Sequence, residues 1–214
     1  MKTKTSVFLF FAFLLITGLL LSSCASTKLT SAWTESTYTG GVLKSVLVVG
    51  VLKDARNRKM FEDVFSKEFR RYGAEAVALS TTLPKGEELT ADEIMAEAKR
   101  LGVETIFVTR LISVEDKDVY HPPTTSTVRS PSYPYNNAYG NFNTYYPYAY
   151  TYEYRPGYTT QEKYINLESN IYGVDGELIW SVLSETVDPA SIDRAISELS
   201  ELIMKNLRKN KLIG

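Results

Sequence analysis

The chain has one cysteine, one histidine and two tryptophans in 214 residues. A lone cysteine excludes a disulfide framework. A lone histidine, His121, has no fellow ligands for a metal centre and no positioned partner for acid–base work, so it reads as a surface residue. An excess of one charge is missing too. Lys and Arg number 24 against 25 Asp and Glu, and without a basic excess nothing supports nucleic-acid binding. The apolar run from Val7 to Leu21 covers fifteen residues, short of the roughly 20 that cross a bilayer as a helix.

What is present begins with a secretory signal. Met1-Lys2-Thr3-Lys4 is a cationic head, Val7–Leu21 an apolar core, and Ser22-Ser23 supply small residues at a cleavage site. Leu21-Ser22-Ser23-Cys24 resembles the lipobox of bacterial lipoproteins. That resemblance implies a diacylglycerol thioether on Cys24, cleavage before it, and acylation (palmitate, for example) of the new amino group. Acyl chains contribute roughly 0.8 kcal/mol per buried methylene, so such an anchor holds without a spanning helix. Ala25 stands where an aspartate retains such proteins in the inner membrane, which implies the periplasmic face of the outer membrane. Loss of residues 1–23 removes Lys2 and Lys4. The remaining 191 residues carry 22 basic and 25 acidic side chains, a formal charge of −3. With Cys24 acylated, no thiol is left for catalysis.

Residues 24–43, rich in Ser, Thr and Gly, read as a tether, with Trp33 docking back onto the fold. Residues 44–214 read as one domain. Val46–Val51 is a continuous apolar run, as in a strand covered on both faces. Phe61, Val64, Phe65, Phe69 and Tyr72 recur at helical spacing, with Gly73 at the C-cap position. Ala76–Leu79 is a short strand. Thr90 and Glu93 have capping-box spacing, Leu89 and Ile94 that of a hydrophobic staple, and Gly102 closes this helix. Val103–Val114 is a third strand. Ile165, Leu167 and Ile171 alternate as a fourth, and Leu178–Val187 is a fifth beyond the turn pair Asp175-Gly176. Asp188-Pro189 start a last helix with the stripe Ile192, Ala195, Ile196, Leu199, Ile203 and Leu207. The fold class is α+β: a mixed sheet with helices packed on it, in the order β-α-β-α-β, an insertion, then β-β-α.

The insertion, at about 119–159, is the unusual part. Between Tyr120 and Tyr158 lie 11 of the 15 tyrosines and 6 of the 8 prolines. A loop of about 40 residues in a compact domain is functional or disordered. Tyr148, Tyr150, Tyr152 and Tyr154 alternate with Ala149, Thr151, Glu153 and Arg155, so an extended chain presents four rings on one face. With Tyr145 and Tyr146 they form a candidate partner-binding set, since phenol rings give large contact area with few bonds to immobilise. Three readings stay open: a low-complexity spacer, a surface for a protein or cell-wall glycan, and a membrane-inserting hairpin. Pro147 and Pro156 suit the last poorly.

No other segment carries a catalytic, cofactor or metal signature. Gly40-Gly41 lacks the Gly-Lys-Ser/Thr element of a phosphate loop. Glu115, Asp116 and Asp118 do not have EF-hand spacing. Arg70-Arg71 suit the negative end of a helix dipole, and Arg56, Arg58 and Lys59 precede that helix. No two of the 25 acids are singled out as a glycosidase pair.

Several segments together resemble a known family. They are Ser45-Val46-Leu47-Val48-Val49, Arg71-Tyr72-Gly73-Ala74, Leu101–Val108 and Asp175-Gly176-Glu177-Leu178-Ile179-Trp180-Ser181. The family is a set of envelope lipoprotein domains that includes the curli-secretion channel lipoprotein, the outer-membrane lipoprotein activators of penicillin-binding proteins, and the N-terminal domain of the Tol-Pal translocation protein. The likeness covers roughly 44–118 and 160–210. It implies a non-enzymatic adaptor or assembly role with an envelope protein or peptidoglycan as partner. The alternative function, of a different class, is a subunit of an oligomeric outer-membrane export assembly with the tyrosine-rich stretch inserted in the membrane as part of a multi-subunit barrel. The tyrosine-rich insertion has no counterpart in the family.

Overall fold

The computed structural model describes residues 27–83, 89–128 and 151–214. Their contacts divide into two compact units, one of Met1–Ser113 with Ile165–Gly214 and one of Val114–Tyr164.

The first unit is built on a six-stranded mixed sheet. Its strands are β1 (Thr27–Thr34), β2 (Ser45–Val51), β3 (Glu75–Ala78), β4 (Thr105–His121), β7 (Tyr158–Gly173) and β8 (Leu178–Val187), in the spatial order β1-β8-β7-β4-β2-β3. Strands β5 (Thr124–Val128) and β6 (Thr151–Arg155) belong to the second unit. β2 pairs in parallel with β3 and β4, while β1 pairs antiparallel with β8. Thr109 meets Ser169 and Arg110 meets Glu168 across β4 and β7, so that pair is antiparallel.

Helices α1 (Ala55–Arg71) and α4 (Ile192–Lys209) bury one face of the sheet. Val46, Val48, Phe107, Ile171, Trp180 and Val182 meet Phe61, Phe65, Phe69, Ile196, Leu199 and Ile203 there. The short α2 (Leu79–Thr82) and α3 (Ala91–Leu101) cover part of the other face, where Leu47, Val49 and Ile106 meet Leu79 and Ala98. Cover on both sides is why β2 reads as an unbroken apolar run. Trp180 is fully buried and its Nε1–H donates to Asn206 Oδ1 at 3.0 Å.

The helix boundaries follow local chemistry. Asp54 caps α1 by accepting the Asn57 N–H at 2.8 Å. At the other end Gly73, at φ 89°, lets Gly73 N–H reach Arg70 O and Ala74 N–H reach Phe69 O. This is a Schellman ending that a residue with a Cβ enters only under strain. The Thr90–Glu93 capping box is present at α3.

Several boundaries differ from the sequence reading. Residues 27–34 are not tether but β1, an edge strand whose solvated face calls for Ser and Thr and so hides the strand pattern. Trp33 lies in it, opposite Ser181. β4 and β7 run well beyond the expected ends, to His121 and back to Tyr158. The cap of α4 is Ser191, which accepts the Arg194 N–H, and Ile192 stays out of the core at 47% exposure. The β7–β8 connection is a three-residue loop, since Gly173 and Glu177 close it and Gly176 takes φ 90°.

The second unit is a β-ribbon. It contains the end of β4, the start of β7, and the antiparallel pair β5 (Thr124–Val128) and β6 (Thr151–Arg155). Thr124 stands opposite Arg155 and Val128 opposite Thr151. The expected structureless loop is therefore strand on both flanks. Pro122-Pro123 and Pro156-Gly157 separate the two ladders, since the three prolines have no N–H to give to a ladder.

Candidate functional site

The ribbon brings together side chains that the sequence scatters between Lys117 and Tyr164. His121 Nε2 lies 2.9 Å from Thr160 Oγ1, and the imidazole stacks on the Tyr158 ring with centroids 4.6 Å apart. Glu162 Oε1 is 4.0 Å from the same nitrogen. Glu162 also accepts the Tyr164 hydroxyl at 2.9 Å, and Lys117 Nζ lies over the Tyr164 ring at 4.5 Å. His121 is thus a structural residue of the ribbon. Tyr120 and Tyr158 are exposed at 64% and 59%. Gly157 permits this packing, because a Cβ there would be 3.0 Å from the His121 carbonyl and closer still to the Tyr120 hydroxyl.

Charge lines both faces of this stretch. Alternation puts Asp116 and Asp118 on one side of β4 and Glu115 and Lys117 on the other, with Glu115 and Lys117 paired at 3.1 Å. Among the described residues, no three His, Cys, Asp or Glu side chains are placed to hold a metal ion.

Of the candidate tyrosines, Tyr152 and Tyr154 fall in β6, opposite Thr127 and Thr125 in register. Tyr145, Tyr146, Tyr148 and Tyr150 lie outside the described residues, as does Cys24.

The first unit holds three features of its own. A cleft of about 190 Å³ is lined by Tyr38, Leu43, Glu104, Thr105, Asp175 and Glu177, among others. Burial, then the Glu104 carboxylate, pushes the Tyr38 hydroxyl above its usual range. Asp175 is committed to its turn, where Oδ1 accepts the Glu177 N–H. Second, Glu97 takes two hydrogen bonds from Arg100, both at 2.7 Å. These bonds, then one from Thr82, bring its carboxyl down to about 2. Third, Glu62 is fully buried and accepts backbone N–H groups from Gly50 and Ser80. Sequence reasoning passed over Glu62, and its one signal was an acid on the apolar face of α1, beside Phe61. Arg70 is more than a dipole partner, because its Nη1–H donates to Ala76 O at 2.7 Å and ties α1 to β3.

No family model matches the chain, and no curated protein matches it. Among solved structures it is similar to the PelC dodecamer from Paraburkholderia phytofirmans, with a TM-score of 0.43 and 10% identity over 85% of this chain and 94% of the PelC chain. A single-residue variant of that dodecamer gives 0.42 and 9% over 83% and 94%. At this level of similarity nothing is transferred from PelC, and function rests on the chain's own residues.

Proposed function

We propose that the protein is an acylated, non-enzymatic cell-envelope lipoprotein whose second unit binds a protein or cell-wall glycan partner. The observation that carries this reading is the ribbon itself. A separately compact pair of strands holds Tyr120 and Tyr158 exposed, and the tyrosine-dense stretch lies between its strands in sequence. Rings fixed on strands lose little entropy when a partner covers them. The polar stem makes the unit a poor lipid neighbour, since acids occupy both of its faces. The test replaces residues 122–156 with a short glycine-containing turn. Binding to isolated peptidoglycan sacculi, and in-cell crosslinking to an envelope protein, are expected to disappear while the Cys24 peptide stays acylated. Unchanged binding and crosslinking would sink the reading.

A second reading, a subunit of an oligomeric outer-membrane export assembly, draws on the same ribbon. Among the described residues β5 and β6 pair only with each other, and an edge strand is a template for another chain. Cys24→Ala protein that is monomeric without detergent would count strongly against it.

A further inference from the structure

We infer that the rim of the first unit formed by the start of β1 and the first turn of α4 rests on the lipid headgroups, with Ile192 as its interfacial contact. The inference rests on the reading of Cys24 as the acylated residue and specifies how the anchored domain meets the bilayer.

The first argument is reach. Thr27 is fixed in the sheet: it pairs with Thr186, its hydroxyl is 3.1 Å from the Thr186 hydroxyl, and it also donates to Glu198 at 3.2 Å. Only Ala25 and Ser26 stand between it and Cys24. Three Cα steps of about 3.8 Å each span at most roughly 11 Å, whatever their conformation. That is about the thickness of one helix. With its acyl chains in the bilayer, Cys24 is held at the headgroups, so β1 starts within one helix diameter of them. No tether of twenty residues intervenes.

The second argument is what lies at that rim. Glu198, which touches Thr27, is six residues along α4 from Ile192, about 9 Å of helix axis. Ile192 belongs to the stripe whose later members Ile196, Leu199, Ile203 and Leu207 are buried, yet it is 47% exposed. The apolar stripe of the core therefore runs out of the protein beside the point where the anchor enters. A membrane interface is the apolar neighbour within reach of it. The basic side chains nearby are matched, Lys28 with Glu185 at 2.8 Å and Arg194 with Glu198 at 3.0 Å, and Asp193 beside Ile192 adds only negative charge. The contact is accordingly apolar and needs no anionic lipid.

Acylation of Cys24 leaves no thiol, so one introduced cysteine labels uniquely. Ile192→Cys and Val42→Cys are compared in the full acylated protein. Val42 is similarly exposed, at 49%, but lies at the opposite end of the sheet, where the chain enters β2. Each variant carries a fluorophore in vesicles of phosphatidylethanolamine and phosphatidylglycerol that contain a headgroup quencher. Emission is expected to be lost at 192 and kept at 42, with the same result when phosphatidylglycerol is omitted. A twelve-residue Gly-Ser insertion after Ser26 is expected to restore emission at 192 while the protein stays on the vesicles. Equal quenching at both sites, or quenching at 192 that survives the insertion, overturns this inference alone. A mature N-terminus without acyl groups by mass spectrometry overturns the anchoring reading and this inference with it.

Discussion

The Glu62 carboxylate accepts the backbone N–H of Gly50 at 2.9 Å inside a fully buried environment. Its other oxygen takes the N–H of Ser80 at 2.7 Å. One side chain of α1 thus closes two backbone groups that the ladders leave open, at the end of β2 and at the start of α2. Glu62→Ala strands both amides, at roughly 1–3 kcal/mol for each. The urea midpoint is expected to fall accordingly, and Glu62→Gln, which keeps one acceptor, should fall less. An unchanged midpoint in Glu62→Ala would show that this tie is not what holds α2.

Phe107 is fully buried against Phe65 and Phe69, with centroids at 4.9 and 5.3 Å. Its removal opens a void between β4 and α1 that neighbouring rings fill poorly. Phe107→Ala is expected to lose about 3–5 kcal/mol in equilibrium unfolding, and a loss below about 1 kcal/mol would mean that the cluster collapses around the gap.

Glu97 gives a pH signature. Arg100 and Thr82 hydrogen bonds draw its carboxyl down to about 2, below the unfolded value near 4.3. A depressed carboxyl stabilises the fold above the unfolded value and loses that contribution as pH falls toward 2. Glu97→Gln should therefore differ from the parent most at pH 6 and least near pH 2. Thermal melts across that range check the convergence, and curves that stay parallel would assign the acid sensitivity to other groups.

Cys24→Ser tests the anchor. The substituted chain is expected to carry no thioether-linked lipid. It should leave the membrane fraction if cleaved by another route, or remain through Val7–Leu21 if uncleaved. The parent's N-terminal peptide should begin at acylated Cys24, and a free thiol on the mature chain would refute the lipobox reading.

Much of the first unit was legible because its signals are local. Phe61, Phe65 and Phe69 mark a face, Gly73 and Gly102 mark helix ends, and Thr90 with Glu93 marks a beginning. The α+β class followed from the order of those elements. β1 was not legible because an edge strand that pairs with a partner 159 residues away has no local pattern to declare it. The ribbon stayed hidden for a related reason. Strands solvated on both faces, such as Glu115–Asp118 against Gln161–Lys163, show no apolar alternation. Glu62 was invisible because its value lies in two amides that only the fold brings to it.

The pairing of β1 with β8 also governs when this chain can fold. A polypeptide that appears N-terminus first presents Thr27–Thr34 early, yet the partner strand Leu178–Val187 follows almost at the end of the sequence. Until then β1 has no partner in the sheet, and loop closure over such a span slows folding. Delay of that kind places final closure of the sheet after the last strand has been made.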